Sequence, residues 1–163
     1  MLLLAVTSVL LHLADRAAAA RTRWPLPTGS VIVDTGGCKG YPHPLSRAAV
    51  LARVTRTFGV QPEQIVNEYG MTELCSQYYA RGAGPWCAPP WLRTMVCDPA
   101  SGSELPRGEI GLLRHVDLAN LGSVIAIQTE DVGRAVPGGL ELLGRATGSE
   151  ARGCSLLLAP EQG

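Results

Sequence analysis

Residues Asn67–Leu74 read NEYGMTEL, which places an amide, an aromatic ring, a glycine, a hydroxyl and two acids within eight positions. Glycine and asparagine weaken helices and strands alike, and apolar residues recur here at neither period 2 nor period 3.6. The stretch follows "QIV" (64–66) and precedes "LCSQYYA" (74–80). The sequence therefore predicts a strand leading through a loop into a helix, and loops of that kind carry ligand-binding groups on a rigid scaffold.

A strand–helix–strand unit is predicted around this loop. "SVIVD" (Ser30–Asp34) is a short β-branched strand, and residues 44–58 place apolar side chains at helical spacing with Pro44 in the first turn. "QIVNEYG" is the next strand, so the two strands are expected to be parallel. Residues 2–20 are predicted to form a helix that precedes this βαβ unit.

The second half of the chain is predicted to be a β-meander. After a loop at residues 82–92, four strands are separated by the turns "PASGSELPR", "ANLG" and "PGG"; the strands are "WLRTMVCD", "GEIGLLRHVDL", "SVIAIQTEDV" and "GLELLGRA". The predicted fold class is therefore α/β, a βαβ layer leading into a β-meander.

Composition limits the range of functions. The chain has 163 residues, 46% of them hydrophobic, which is enough for one domain with a substantial core. Its formal net charge is +0, so no long-range field attracts nucleic acid or an anionic membrane, and neither partner is expected. Lys39 is the single lysine, so any lysine-dependent chemistry would have to use it.

The five cysteines are widely spaced and contain no C-x-x-C pair, which argues against a zinc site. An odd number in a chain of this size also fits a disulfide scaffold poorly, so reduced thiols in a cytoplasm are the simpler interpretation. The apolar run near Met1 resembles a signal peptide, but His12, Asp15 and Arg16 interrupt it before the ~20 residues that a membrane span needs. A core-packed helix is favoured there over a signal or anchor.

Two loops follow the carboxyl ends of the predicted parallel strands, "TGGCKG" (35–40) and "EYGMTE" (68–73). Ligands bind at that edge of a parallel sheet, and Gly36 and Gly37 let the backbone approach a ring or a phosphate closely. A glycine turn alone is more often structural, and neither G-x-x-x-x-G-K-[ST] nor G-x-G-x-x-G occurs. Likewise, Tyr69 alone fits a half-buried loop aromatic and Glu73 a helix N-terminal acid. Their coincidence in one loop favours a functional role.

Asp131 and Arg145 form a second candidate pair. Each lies seven residues from Gly138, at the centre of the "PGG" turn, so a hairpin with that centre brings them abreast. Two interpretations stay open at this point. The pair is a cross-strand salt bridge worth up to about 1 kcal/mol, or a carboxylate and a guanidinium that bind a sugar diol and a phosphate.

These motifs resemble those of the adenylate-forming enzymes, the acyl-CoA synthetase and firefly-luciferase superfamily. "EYGMTE" resembles the Y-G-x-T-E motif, and "TEDVGR" followed by "LLGR" resembles the later acid and G-R motifs. More narrowly, several segments between Ser30 and Leu156 resemble the acyl-protein synthetase (LuxE-type) of the bioluminescence fatty-acid reductase. They are "DTGGCKG", "NEYGMTELCSQYY", "PPWLR", "LPRGEIGLLRHVDLAN", "IQTEDVGR" and "GRATGSEARGCSL".

The resemblance implies a nucleotide site. Tyr69, followed by Gly70 of the same motif, would lie against the adenine ring. Asp131 would accept hydrogen bonds from the two ribose hydroxyls, and Arg145 would lie near the ribose and phosphate. The turn that contains Gly36–Gly37 would form a wall of the adenine and acyl pockets.

The resemblance also implies the chemistry, with ATP and Mg²⁺ as cofactors. Thr72 would hydrogen-bond the α-phosphate and Glu73 would hold Mg²⁺ while a fatty carboxylate attacks ATP to give acyl-AMP and pyrophosphate. Cys154 matches the cysteine that receives the acyl group, and Arg152 beside it would favour the thiolate. The alternative for Cys154 is a small buried hydrophobe before the apolar "SLLL". An acyl-accepting reductase or carrier protein is the expected partner.

The Ser/Thr/Gly-rich, lysine-containing phosphate loop of this superfamily has no match, and is expected upstream of residue 1. We therefore expect residues 1–163 to be one partial domain of a longer enzyme. It would comprise a leading helix (1–22), the βαβ unit (30–80) and a β-rich part (91–158). The predicted function is a long-chain-fatty-acid–protein ligase. The alternatives are an acyl- or aryl-CoA ligase of the phenylacetate type, or an inactive truncated relative that acts as a binding module.

Overall fold

The computed structural model describes residues 1–38, 41–42 and 45–146. It confirms the predicted α/β class, with a parallel sheet followed by an antiparallel sheet. The described residues form two compact units, one built from Met1–Glu68 and Ala80–Gly84, the other from Tyr69–Tyr79 and residues 85–146. The prediction that residues 1–163 are one partial domain stays a prediction.

The parallel sheet is built from two successive strand–helix–strand units. The elements are β1 (Leu2–Val6), α1 (Thr7–Ala19), β2 (Val31–Thr35), α2 (Arg47–Phe58), a 3₁₀ turn (Pro62–Gln64), β3 (Ile65–Tyr69) and β4 (Tyr78–Arg81). The strand order is β1-β2-β3-β4, and β1–β2 and β2–β3 are parallel pairs. The second of these units, β2–α2–β3, is the predicted βαβ unit.

Apolar side chains of both helices fill the core of the first unit. The fully buried members include Leu10 and Leu11 of α1, Val54 of α2, Ile32 of β2 and Ile65 of β3. Helix α2 begins after Ser46, whose hydroxyl accepts a hydrogen bond from the Ala49 amide at 3.3 Å. It ends at Gly59, whose φ of 68° is the left-handed conformation that glycine adopts at helix ends. The predicted first-turn residue Pro44 lies outside the described residues.

The prediction of a helix over residues 2–20 is wrong at its start. Leu2–Val6 form β1, which pairs with β2 from Leu2↔Val31 to Val6↔Thr35. Leu3 and Ala5 pack against the core, whereas Leu2 and Leu4 are exposed, so the apolar run has strand periodicity. Leucine has a good helix propensity, but pairing with a neighbouring strand overrides that weak preference.

The second unit contains the predicted four-stranded meander. Its strands are β5 (Leu92–Cys97), β6 (Gly111–Asp117), β7 (Ala126–Val136) and β8 (Gly139–Arg145), all antiparallel to their neighbours in the order β5-β6-β7-β8. Val96, Leu113 and Leu140 form a buried cluster on one face of this sheet. The alternating burial along β6 is the pattern of a sheet with one covered face.

The predicted helix after Leu74 is absent. Residues 70–77 are loop, and the chain continues as β4. The Cys75 and Ser76 amides, which would be free donors in a helical first turn, bond instead to the side chains of Asn120 and Asp117 at 2.7 and 2.8 Å. Because side chains outside the loop satisfy these amides, the chain gains nothing by starting a helix here.

Within the ranges that the structure describes, no helix is both long enough and apolar enough to cross a membrane. The described cysteines, Cys38, Cys75, Cys87 and Cys97, carry free thiols.

Candidate functional site

One hydrogen bond joins the "EYGMTE" motif to the "TEDVGR" motif. Tyr69, the last residue of β3, donates from its hydroxyl to Oδ2 of Asp131 on β7 at 2.7 Å, across 62 positions of sequence. Burial, with the Asp131 carboxylate beside it, raises the pKa of Tyr69 far above its ordinary value. The phenol therefore stays protonated and serves as a donor.

Arg145 lies directly opposite Asp131, as the hairpin symmetry predicted. Its Nε is 3.4 Å from Oδ1 of Asp131, and its Nη2 is 2.6 Å from Oε2 of Glu130. The Asp131 and Arg145 side chains are each 22% exposed, so both are accessible to a ligand yet screened from bulk water. An ionised carboxylate offers about four acceptor positions. Tyr69 and Arg145 leave some of these positions open, so the carboxylate can accept further hydrogen bonds from hydroxyl groups.

Thr72 and Glu73 lie in the exposed turn of the loop between β3 and β4. The Thr72 hydroxyl donates to Oε2 of Glu73 at 3.1 Å, so both groups face the same space. No helix follows Glu73, so its interpretation as a helix N-terminal acid is wrong. Among the described residues, no group of three or more His, Cys, Asp or Glu side chains could hold a metal ion. A single carboxylate suits Mg²⁺ that takes its other ligands from phosphate and water.

The connection between β6 and β7 holds this loop in place. The Asn120 side chain donates to the Glu73 carbonyl at 2.7 Å and accepts from the Cys75 amide at 2.7 Å. The Asp117 carboxylate accepts from the amide and the hydroxyl of Ser76 at 2.8 and 2.9 Å. Burial raises the pKa of Asp117, but hydrogen bonds from backbone amides and Ser76 outweigh burial and leave that pKa below its ordinary value.

A fully buried histidine lies behind Tyr69. His115 of β6 has its Nδ1 2.7 Å from the Tyr78 hydroxyl and its Nε2 3.4 Å from the Tyr69 hydroxyl. The Tyr78 hydroxyl also bonds to Thr94, which pairs with His115 across β5 and β6. Burial lowers the pKa of His115 to about 4, against the opposing effect of Asp131, and burial raises the pKa of Tyr78 to about 12. All of these rings are therefore neutral near pH 7.

The motifs alone did not reveal His115, Asp117 or Asn120 as parts of the site. Their signal was present in "GLLRHVD", where period-2 alternation places Leu113, His115 and Asp117 on one face of β6. Leu113 is buried there, so two ionisable residues on the same face had to be hydrogen-bonded. Which groups they bond to depends on sheet register and loop packing.

A cavity of about 750 Å³ opens beside the same loop. Its lining is mostly apolar and includes Tyr79, Trp91, Leu118 and Ala119. The Tyr79, Trp91 and Leu118 side chains are 45%, 51% and 59% exposed, so the mouth of the cavity presents apolar surface to solvent. This volume lies within the range of small-molecule pockets, and the lining suits an apolar group.

The first unit carries the glycine turn and a polar network around the buried Asp34. Gly36 and Gly37 follow β2 with φ values of 79° and 64°, as a tight glycine turn requires. Ahead of them, the buried Asp34 accepts from Thr7 at 2.8 Å, Arg47 at 2.9 Å and Asn67 at 3.0 Å. These hydrogen bonds stabilise the buried Asp34 carboxylate, so a structural role explains its burial.

The structure brings Tyr69, Asp131 and Arg145 together and places Thr72 and Glu73 side by side. Gly70 lies between Tyr69 and the turn, and Gly36–Gly37 belong to the other unit. Lys39, Arg152 and Cys154 lie outside the described residues. The ligand-binding and catalytic roles of the site residues stay predictions.

Comparison with solved structures identifies the class of fold. The structure of McyG A-PCP complexed with phenylalanyl-adenylate matches with a TM-score of 0.64 at 17% identity, covering 90% of this chain and 30% of that one. The ATP-bound MatB from Rhodopseudomonas palustris matches with a TM-score of 0.59 at 18% identity, covering 89% and 31%. The chain has the fold of the adenylate-forming enzymes.

A sequence relative narrows the resemblance. The long-chain-fatty-acid–luciferin-component ligase of Vibrio harveyi is 27% identical over 104 residues, which are 63% of this chain and 28% of the ligase. No protein-family model matches the chain. The chain thus spans less than a third of the length of each of these three relatives. These matches confirm the resemblance to the adenylate-forming enzymes that the motifs indicated.

Proposed function

We propose that this chain forms the acyl-adenylate-binding part of a ligase that activates a long-chain fatty acid with ATP and transfers it to a protein cysteine. The observation that carries the proposal is the hydrogen bond from Tyr69 to Asp131, with Arg145 opposite the same carboxylate. This bond joins the two motifs that the superfamily uses for a nucleotide, in a partly buried position that a ligand can reach.

Three side chains would bind the nucleoside. The Tyr69 ring would lie against the adenine, while its hydroxyl holds Asp131 in place. The open acceptor positions of the Asp131 carboxylate would take the ribose hydroxyls, since an ionised carboxylate accepts two such bonds at once. Arg145 would place its positive charge near the α-phosphate.

Thr72 and Glu73 would bind the phosphates. The Thr72 hydroxyl is a donor on an exposed turn and can turn from Glu73 to an α-phosphate oxygen. Glu73 would hold Mg²⁺ together with phosphate oxygens, and the ion, when bound, neutralises charge on those oxygens. Asn120 fixes the Glu73 backbone from the β6–β7 connection, so this turn is held ready for the ligand.

The proposed reaction has two steps. A carboxylate oxygen of the fatty acid bonds to the α-phosphorus of ATP, and pyrophosphate leaves. The sulfur of a thiolate then bonds to the carbonyl carbon of acyl-AMP, and AMP leaves. Cys154 is the proposed thiol, within an enzyme of the cytoplasm, and a reductase or carrier protein would then take the acyl group.

The apolar cavity beside the loop supports an acyl substrate. Cys75 and Ser76 line it two and three positions after Glu73, so it adjoins the turn proposed to bind the phosphates. Trp91 and Leu118 offer the apolar surface that an alkyl chain requires. A chain bound there would remove both exposed side chains from water.

Calorimetric binding of a non-hydrolysable long-chain acyl-adenylate analogue tests the proposal. We expect micromolar affinity that is lost in Asp131→Ala, because the ribose hydroxyls lose their acceptor. Glu141→Ala is the matched control, since it removes a carboxylate of the same hairpin whose one ion-pair partner among the described residues is Arg134, at 2.6 Å. A folded chain that binds no analogue, or an Asp131→Ala variant that binds as well as Glu141→Ala, overturns the proposal.

A further inference from the structure

The hydrogen-bond chain behind Asp131 runs in one direction. Asp131 is opposite Arg145, and an ionised carboxylate only accepts, so the Tyr69 hydroxyl proton points toward Asp131. The Tyr69 oxygen, 3.4 Å from Nε2 of His115, can then only accept from that nitrogen. This requires the tautomer of His115 that carries its proton on Nε2.

The other half of the chain requires the same tautomer. With the proton on Nε2, Nδ1 of His115 is bare and accepts from the Tyr78 hydroxyl at 2.7 Å. The Tyr78 oxygen is then left to accept from Thr94. Thr94 thus donates at one end of the chain and Asp131 accepts at the other, while Tyr78, His115 and Tyr69 each accept one hydrogen bond and donate one. Reversing the direction would require Asp131 to donate to Tyr69, and a carboxylate paired with Arg145 has only acceptor positions.

We propose that His115 is a positioning residue for the nucleotide site: its Nε2–H holds the Tyr69 hydroxyl in the orientation that keeps Asp131 aligned for the ribose. The inference rests on the proposed function and adds a residue that contacts no substrate. Burial keeps the imidazole neutral near pH 7, so the single proton persists on one nitrogen over the working range. The groups that face His115 are Tyr69, Tyr78, Thr94 and, beyond Tyr69, Asp131.

Two amide substitutions separate this role from simple packing. The Gln amide reaches about as far as Nε2, so His115→Gln keeps a donor for Tyr69 and removes the acceptor of Tyr78. The Asn amide reaches about as far as Nδ1, so His115→Asn does the reverse. We expect His115→Asn to weaken binding of the acyl-adenylate analogue about tenfold and His115→Gln by less than about threefold. A role in packing alone predicts no such order, and equal affinities of the two variants overturn the inference.

The ligand supplies a second readout. An analogue whose ribose lacks both hydroxyls makes no bond to Asp131, so the difference in affinity between the Asn and Gln variants should disappear with it. Persistence of the difference with that ligand would mean that His115 acts elsewhere than through Asp131, and the inference is then wrong. Both affinities are measured by calorimetry on variants whose unfolding is cooperative.

The unsubstituted protein gives a test that needs no folded variant of His115. Imidazole ¹⁵N chemical shifts should place the proton of His115 on Nε2, and Tyr69→Phe, which removes the acceptor, should shift part of it to Nδ1. A proton on Nδ1 in the unsubstituted protein overturns the inference. If that protein shows the expected tautomer but binds no adenylate, the proposed function fails and this role fails with it. If the protein binds the adenylate but His115→Asn and His115→Gln bind it equally well, the positioning role of His115 is wrong and the proposed function stands.

Discussion

Asp131 lies opposite Arg145 because β8 contains one residue more than β7 between the hairpin turn and this pair. The ladder runs regularly from Val136↔Gly139 to Gly133↔Leu142, then continues as Val132↔Gly144 and Asp131↔Arg145. Leu143 is the extra residue of this β-bulge. In an uninterrupted ladder Asp131 would face Gly144, which has no side chain, so the bulge aims the guanidinium at the carboxylate.

Gly133, at the edge of this bulge, has no room for a side chain. A Cβ there would lie 2.6 Å from the Glu141 carbonyl oxygen and 3.1 Å from Cδ2 of Leu113. We expect Gly133→Ala to lower the free energy of unfolding by about 1–3 kcal/mol, because β8 must move away from β7. Adenylate binding should weaken as well, since the same hairpin carries Asp131. Denaturant unfolding and calorimetry measure the two effects.

Gly122 provides the control for that substitution. It lies in the β6–β7 connection, and a Cβ added there meets no atom within 4 Å. Gly122→Ala should therefore change stability by less than about 0.5 kcal/mol. Equal effects of the two substitutions would mean that backbone entropy, and not the contact with Glu141, governs the Gly133 result.

The sequence predicted the Asp131–Arg145 pair correctly but for an incomplete reason. Symmetry about Gly138 gave the right partners, whereas the observed ladder is centred between Pro137 and Gly138 and reaches the same pairing through the bulge. Bulges have no strong sequence pattern, so the offset could not be read from "PGG". The meander itself was readable because alternating apolar residues and Gly- or Pro-rich turns determine it locally.

The errors in prediction have a common physical origin. Leu2–Val6 became a strand because β2 lies beside it, and the stretch after Leu74 became a loop because Asn120 and Asp117 bind its amides. Each outcome depends on a partner 29 or more positions away, as with Leu2 and Val31. Local propensity carries no information about such partners. The hydrogen-bond chain through His115 could not be predicted for the same reason.

Stability should depend on pH through His115. The imidazole of the unfolded chain takes up a proton near pH 6.5, whereas the buried imidazole does so only at a pKa of about 4. The unfolded state therefore binds more protons between these values, and the free energy of unfolding falls as the pH drops through that window. The full loss is about 3 kcal/mol by pH 4. Denaturant unfolding at closely spaced pH values measures it.

Two variants assign that pH dependence. His115→Gln removes the titrating group and should flatten the curve between pH 6.5 and 4. His12→Gln removes an exposed imidazole of α1 and keeps His115, so it should keep the slope. A slope that survives in His115→Gln would assign the effect to other groups.

The Asn120 side chain should contribute strongly to the stability of the loop at residues 70–77. Its buried side chain makes three hydrogen bonds, to the Glu73 carbonyl, the Cys75 amide and the Val124 carbonyl. Asn120→Ala leaves these groups without partners, so we expect a loss of about 2–3 kcal/mol in the free energy of unfolding. Amide hydrogen exchange at Cys75 should accelerate at the same time. Leu121→Ala, at a neighbouring side chain that is 88% exposed, should change neither quantity.

Filling the cavity should separate acyl binding from nucleotide binding. Ala119 is exposed and lines the cavity, so Ala119→Trp can occupy part of its volume without disturbing the core. We expect affinity for a long-chain acyl-adenylate analogue to fall about tenfold while affinity for AMP is unchanged, because only the acyl chain requires the cavity. Ala100→Trp, in the exposed turn after β5, is the size-matched control. A parallel loss of AMP affinity would show that the substitution disturbs the nucleotide loop instead.

Acyl transfer should depend on a single cysteine. When the chain is given a chemically prepared acyl-adenylate, we expect a thiolate to form the sulfur–carbon bond and release AMP, which would leave a hydroxylamine-sensitive acyl label on the protein. Cys154→Ala should abolish the label while affinity for the non-hydrolysable analogue is unchanged. Cys75→Ala and Cys87→Ala, which remove exposed thiols that line the cavity, should retain the label.

A label that survives in Cys154→Ala but is lost in either control would place the acceptor at the cavity. Release of acyl-CoA after CoA is added, without any protein label, would favour a CoA ligase, because such an enzyme needs no acceptor cysteine of its own.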